Sequence, residues 1–303
     1  MNDTVMTKND MSRNIISINN VTKRFDKTAV LKNISVEVSD VEIIALLGLN
    51  GAGKTTLLET LLGFCIPDQG TIKLFSQQTD SFIDQKTKSR IGFVPQTEEL
   101  IPSMKVSDYL TLISSFYPNW DQTFVQRLIE EWDVPMDKTI RTLSTGQKQK
   151  VAIISALAFY PELLILDEPV ASLDPKARRQ FLQELIKIAD NQRCTILFST
   201  HIVSDVERIA DRLWLLKDGE LVMDTMIDDL KEKTVRLHLP KNSDYVSLLT
   251  GLEILNKRHT ETNIVLTASG WGNEIEAQWR NKFPSELQIE TLSLEDIFLE
   301  INL

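Results

Sequence analysis

A glycine-rich octapeptide, Gly48-Leu49-Asn50-Gly51-Ala52-Gly53-Lys54-Thr55, lies between an apolar run at residues 42–47 and an amphipathic stretch at residues 54–62. That order commits the chain to a buried strand, a tight loop and a helix in succession, which is the setting of a phosphate-binding loop. The glycines let successive backbone N–H groups curl around phosphates, and the helix N-terminus, including Thr56, adds a field favourable to anions. Lys54 has the reach for β- and γ-phosphates, and the Thr55 hydroxyl is a ligand for Mg²⁺. Three of the chain's eleven glycines fall within these eight positions, a concentration that a plain structural turn does not require. A bound nucleoside triphosphate is the expectation.

At 303 residues the chain can bury one large core and carry an appendage. A net charge of −10 and a pI near 5.0 oppose a long nucleic-acid footprint, so no nucleic-acid partner is expected. Cys65 and Cys194 each lie in an apolar segment and read as buried free thiols of a reducing compartment. Residues 1–14 are polar and read as a disordered lead-in rather than a secretory signal. No run approaches the ~18 apolar residues of a membrane-spanning helix, so any membrane role would come through a partner.

The periodicities sort the rest. Residues 15–25 and 34–38 alternate apolar and polar positions, as half-buried antiparallel strands do. Residues 71–75 and 90–94 read as further strands, separated by a polar stretch at 76–88. From 106 to 132, and again from 147 to 159, the apolar spacing is helical. A second rhythm follows: strand 163–166, helix 176–189, strand 195–199, helix 203–210 and strand 212–217, an alternation that implies a parallel sheet. From residue 227, short apolar runs at 235–239, 264–267 and 287–290 mix with helical stretches ending in 294–301, and this part reads as a separate small α+β unit. Ser293 and Asp296 have the spacing to cap its last helix.

In open parallel α/β sheets, ligands bind beyond the carboxyl ends of the strands. Besides the glycine loop, three such ends here carry polar chemistry: Gln96 after 90–94, Asp167-Glu168 after 163–166, and Thr200-His201 after 195–199. Asp167 suits a carboxylate that holds Mg²⁺ opposite Thr55. Glu168 is the candidate to polarise the water that attacks the γ-phosphate. His201 is a candidate hydrogen-bond partner for that phosphate and water, and Gln96 offers an amide oxygen to metal or water. The bland alternatives are a capping Asp, a solvated turn Glu before Pro169, and ordinary loop residues.

Over residues 15–226 these features resemble the ATP-binding subunits of ABC transporters. Leu143-Ser144-Thr145-Gly146-Gln147 is similar to that family's signature sequence, and Ser172-Leu173-Asp174 resembles its D-loop. His201 resembles its switch histidine, Gln96 its Q-loop and Phe25 its adenine-stacking aromatic.

The resemblance implies an α/β P-loop NTPase of the ABC ATPase type: a parallel sheet, an antiparallel β layer and a helical subdomain at about 97–160, followed by a small C-terminal α+β domain at 227–303. It implies ATP and Mg²⁺ as ligands and hydrolysis as the activity. It also implies a head-to-tail dimer, of like or paralogous subunits, in which residues 144–147 bind the γ-phosphate of the ATP held by the opposite copy, with Asp174 also among the nucleotide-binding residues. The partners it implies are separate membrane-spanning permeases, with this subunit peripheral on their cytoplasmic face.

The close of the chain is similar to exporter-type ATPases that serve ABC-2 permeases. Thr145 departs from the family, which usually has glycine there, and Ser144 with Gln147 also has the spacing of a capping box. The competing readings are a soluble ABC-type ATPase and a nucleotide-dependent switch uncoupled from transport.

Overall fold

The computed structural model describes residues 14–39, 41–79, 83–97, 99–192, 194–241, 243–283 and 287–302. The lead-in expected at 1–14 lies, up to residue 13, outside them. In chain order the elements are β1 (Ile16–Phe25), β2 (Thr28–Val38), β3 (Ile43–Leu47), α1 (Lys54–Leu61), β4 (Gln69–Leu74), β5 (Gln77–Gln78), α2 (Gln85–Lys88) and β6 (Ile91–Val94). Next come α3 (Val106–Ser114), α4 (Gln122–Glu131), α5 (Thr145–Leu157), β7 (Leu163–Leu166), α6 (Pro175–Gln192), β8 (Thr195–Thr200), α7 (Val203–Ile209), β9 (Arg212–Lys217) and β10 (Glu220–Met226). The last are α8 (Ile227–Lys233), β11 (Val235–Pro240), β12 (Glu253–His259), β13 (Asn263–Ser269), α9 (Asn273–Lys282), β14 (Gln288–Thr291) and α10 (Leu294–Asn302).

The chain forms two compact units. One comprises the chain to His201 together with Leu213–Asp224; the other comprises Ile202–Arg212 and Thr225–Leu303. In the first, a six-stranded sheet runs β10-β9-β3-β8-β7-β6, with β3, β8, β7 and β6 parallel. All five residues of β3 and all four of β7 are buried, as strands covered on both faces must be. A second sheet, β2-β1-β4-β5, is antiparallel and alternates buried with exposed positions. Ile16, Ile18, Leu31, Ile34 and Ile72 from this sheet join Ile44, Leu46, Leu57 and Trp214 in one core, which fixes the glycine loop above β3.

The helical stretch expected at 106–132 is broken into α3 and α4. Pro118 cannot donate to a helical ladder, and Asp121 starts α4 afresh by accepting from Phe124 N at 2.9 Å. The polar stretch at 76–88 holds β5 and α2, the latter capped by Asp84, which accepts from Thr87 N at 2.7 Å. Strand β10 was not expected. It follows the Asp218-Gly219 turn, whose residues have φ of 51° and 82°, the left-handed pair that a two-residue hairpin demands. Cys65 is another departure: it is half-buried, because α1 has ended and the loop carrying Phe64 and Ile66 faces water.

The second unit is built on an antiparallel sheet, β12-β13-β11-β14, whose core gathers Leu237, Leu266, Trp271, Trp279 and Phe283. Trp279 is fully buried and its Nε1 donates to the Leu248 carbonyl at 3.2 Å, so the indole polar group is satisfied. Ser293 and Asp296 cap α10 reciprocally. Glu300 on α10 accepts from Arg236 at 2.7 Å and also from Arg258, tying the helix to β11 and β12. Helix α10 also packs on α7.

Candidate functional site

The glycine loop keeps its shape for steric reasons. A Cβ on Gly48 would lie 2.5 Å from the Leu216 carbonyl, and Gly53, at φ 105°, is left-handed where it opens α1. No side chain caps α1 at Gly53, so its first N–H groups stay open to an anion. Lys54 Nζ bends back to donate to the carbonyls of Gly48 at 2.9 Å and Leu49 at 3.3 Å. Beside this loop is a cavity of about 320 Å³ lined by Val30, Asn50, Gly51, Gly53, Lys54, Thr55, Thr56, Gln96 and Glu168.

Parallel register brings the other strand ends to the same edge. Leu166 of β7 pairs with Val94 of β6 and Phe198 of β8, and Thr200 pairs with Leu47 of β3, so the residues that follow each strand converge above the loop. Asp167 Oδ2 accepts from the Thr55 hydroxyl at 2.7 Å, and its Oδ1 accepts from Ser199 Oγ at 2.5 Å. Glu168 is buried and engaged at both oxygens: Lys54 Nζ is 3.3 Å from Oε1, and His201 Nδ1 is 2.7 Å from Oε2. Its backbone is left-handed, φ 49°, unusual for a side-chain-bearing residue and the kind of strain that collects at functional positions.

The remaining expected residues lie elsewhere. Phe25, residues 144–147 and Asp174 are not among those lining the cavity. Phe25 is half exposed, and Lys23 Nζ lies over its ring, 5.4 Å from the centroid. Ser144 and Gln147 form the capping box: Gln147 N donates to Ser144 Oγ at 3.3 Å, and Ser144 N to Gln147 Oε1 at 3.1 Å. Thr145, the first residue of α5, is exposed. Gly146 is required by its neighbour, since a Cβ there would lie 2.9 Å from the Ser172 carbonyl. Asp174 caps α6, accepting from Ala177 N at 2.9 Å and Lys176 N at 3.0 Å. The Ala177 bond above all holds its carboxyl below the usual range.

Ser199 was not anticipated. Its one sequence signal is a hydroxyl interrupting the apolar run of β8 two residues before His201.

The donor set fits a hard divalent cation. The Thr55 hydroxyl and the Asp167 carboxylate meet, and Gln96 faces the same cavity, so the available atoms are oxygens, as Mg²⁺ prefers. Among the described residues no group of three or more His, Cys, Asp or Glu is placed to hold a metal. An ion here would therefore complete its shell with phosphate and water oxygens.

The ABC transporter family model matches residues 31–171. The chain is 30% identical over 298 residues to the uncharacterized ABC transporter ATP-binding protein YhaQ of Bacillus subtilis (strain 168), covering 94% of this chain and 98% of that one. It is 35% identical over 212 residues to the Nod factor export ATP-binding protein I of Burkholderia orbicola (strain AU 1054), covering 68% of this chain and 69% of the relative. Among solved structures, it resembles a dimeric post-hydrolysis state of an ATP-binding cassette bound to ADP and Pi. The TM-score is 0.63 and the identity 25%, over 70% of this chain and 98% of that one. Matched along almost the whole of one relative and by the family model over the glycine loop and both carboxylates, the chain belongs to the ATP-hydrolysing ATP-binding subunits of ABC transporters.

Proposed function

We propose that this chain hydrolyses ATP at the β3–α1 cradle to drive export through separate membrane-spanning permease subunits. The observation that carries the reading is the placement of Glu168, a buried carboxylate held between Lys54 and His201 at the wall of the cavity beside the glycine loop. Backbone N–H groups at the start of α1 bind the phosphates, and Lys54 exchanges its carbonyl and carboxylate partners for phosphate oxygens. Glu168, once Lys54 has moved, takes a proton from the attacking water. His201 donates Nδ1–H to Glu168, which leaves Nε2 as an acceptor for a water proton. Thr55, Asp167 and Gln96 would hold Mg²⁺, which supplies neutralisation of phosphate charge when bound.

Two copies close head to tail, with residues 144–147 and the Asp174 turn of one facing the nucleotide of the other. The similarity to a dimeric cassette bound to ADP and Pi supports this. Phe25 stacks on the adenine. Coupling to a permease is supported by a groove of about 520 Å³ whose walls include Phe64, Phe93, Pro95, Leu100, Tyr109 and Tyr117. Pro95 precedes Gln96 directly, so a partner seated there is one peptide bond from the nucleotide site.

Among the described residues no helix is long and apolar enough to cross a membrane. In this reading the chain sits on the cytoplasmic face of its permease, as an ATP-binding subunit serving a separate membrane partner. Export is supported by the likeness to a Nod factor export protein.

The test has two parts: magnesium-dependent ATP turnover of the purified chain, and recovery of a polytopic membrane protein with the tagged chain from detergent-solubilised membranes. Absence of turnover refutes the site. Turnover without any polytopic partner refutes the transport role and favours a soluble ATPase.

A further inference from the structure

Ser199 is wholly buried at the end of β8, and its single hydroxyl serves both carboxylate residues of the site. The O–H donates to Asp167 Oδ1 at 2.5 Å, and the oxygen accepts from the Glu168 backbone N–H at 2.8 Å. The two bonds fix each other's direction: one proton cannot point both ways, and a backbone N–H can only donate. With Oδ1 engaged, Asp167 directs Oδ2 to the Thr55 hydroxyl at 2.7 Å. With its N–H held, Glu168 keeps the left-handed φ of 49° that carries its side chain between Lys54 and His201. Alanine at 199 would leave the Glu168 N–H without an acceptor and Asp167 Oδ1 without its donor, so that Asp167 is held by the Thr55 hydroxyl with one tie fewer.

We infer that Ser199 is a positioning residue for hydrolysis, setting the metal-facing oxygen of Asp167 and the backbone of Glu168 through one hydroxyl. It touches neither phosphate nor water. Its contribution is orientation, and it rests on the proposed roles of those two carboxylates. The parallel pairing of Leu166 with Phe198 is what makes the contact possible, because it sets the residues that follow the two strands side by side.

Removing a group that orients such ligands typically lowers activity or metal affinity by about 10- to 100-fold. Ser199→Ala and the near-isosteric Ser199→Cys are compared with Ser199→Thr, which keeps the hydroxyl. ATP binding is measured by calorimetry in chelator and in magnesium, beside turnover and the thermal midpoint. The expected result is unchanged ATP affinity in chelator for all variants. In Ala and Cys, the gain in affinity on adding magnesium shrinks and turnover falls, each by about tenfold or more, and Thr recovers most of both.

The inference is overturned if Ser199→Ala matches the unaltered chain in turnover and in magnesium response. It is equally overturned if Ala and Cys lose chelator-phase affinity and thermal midpoint together, since that marks a merely structural role. Should the unaltered chain itself fail to bind or hydrolyse ATP, the fault lies with the reading of the whole site, which these variants then separate from the role of Ser199.

Discussion

Lys54 Nζ and Glu168 Oε1 stand 3.3 Å apart, both side chains almost wholly buried, so the cation that reaches for phosphate and the carboxylate beside it neutralise one another across two strand ends. In the proposed reaction, incoming phosphate oxygens would draw Lys54 away and release Glu168 to face water, which would link substrate entry to the availability of the base.

Breaking that pair from one side leaves an uncompensated buried charge, which costs about 3–5 kcal/mol where both groups are fully enclosed. Lys54→Ala should lower the thermal midpoint of the nucleotide-free chain and abolish ATP binding. Lys54→Ala with Glu168→Gln should regain much of the midpoint without regaining binding. A double variant as unstable as the single one would show that the charge pairing does not stabilise the loop.

Glu168→Gln keeps the shape of the site and removes the base. ATP turnover should fall by about 100-fold or more while ATP affinity is retained, and the chain should accumulate as a dimer with ATP in size-exclusion chromatography. Turnover within threefold of the unaltered chain would remove Glu168 from the chemistry.

Glu184 on α6 receives hydrogen bonds from Arg127 of α4 at 2.5 Å and from Lys187 at 3.1 Å. Burial alone would raise its pKa, yet these bonds outweigh that and hold the carboxyl below its ordinary value. A depressed carboxylate contributes stability that is fully present above its unfolded pKa and is lost as pH falls through the folded one. Arg127 remains accessible to water, so the tie contributes no more than about 1 kcal/mol. The stability difference between the unaltered chain and Glu184→Gln in urea should therefore be present near neutrality and close as the pH drops below the carboxylate range. A difference that does not change with pH would assign the effect to packing.

Burial pushes the Cys194 thiol up to about 12, while Cys65 lies half-buried beside exposed Phe64. At about pH 8 a thiol reagent should label Cys65 in the folded chain and reach Cys194 only after denaturation. Mass spectrometry of the labelled peptides reads the order directly, and early labelling of Cys194 would contradict the closed packing around β8.

Much of the site was legible because its chemistry is local in sequence. The octapeptide ending in Thr55 and the Asp167-Glu168 pair after four apolar residues each carry their own strand and loop context. The parallel α/β core was legible from its alternation of strands and helices. What escaped depends on residues far apart in the chain. Ser199 acquires its contacts from the β7–β8 register, and a serine in an apolar strand has no periodicity to betray it. The ion pair of Lys54 with Glu168 likewise exists only because the two strands end at one edge. Strand β10 had a visible signal in Asp218-Gly219, but its half-exposed residues lack the apolar run that marks a covered strand. The division of residues 106–132 into two helices was foreshadowed by Pro118, whose effect the apolar spacing obscured.

The second compact unit takes up the chain at Ile202, directly after the histidine, and keeps α7 for itself before the strand β9 returns to the sheet. Helix α10, near the far end of the chain, packs on that same α7. A truncation placed after Asp224 to isolate the nucleotide-hydrolysing portion would thus deprive α7 of its companion while leaving it in the fragment. A clean excision therefore has to treat α7 and α10 together, because the shortened protein would otherwise keep one helix of the pair without the other.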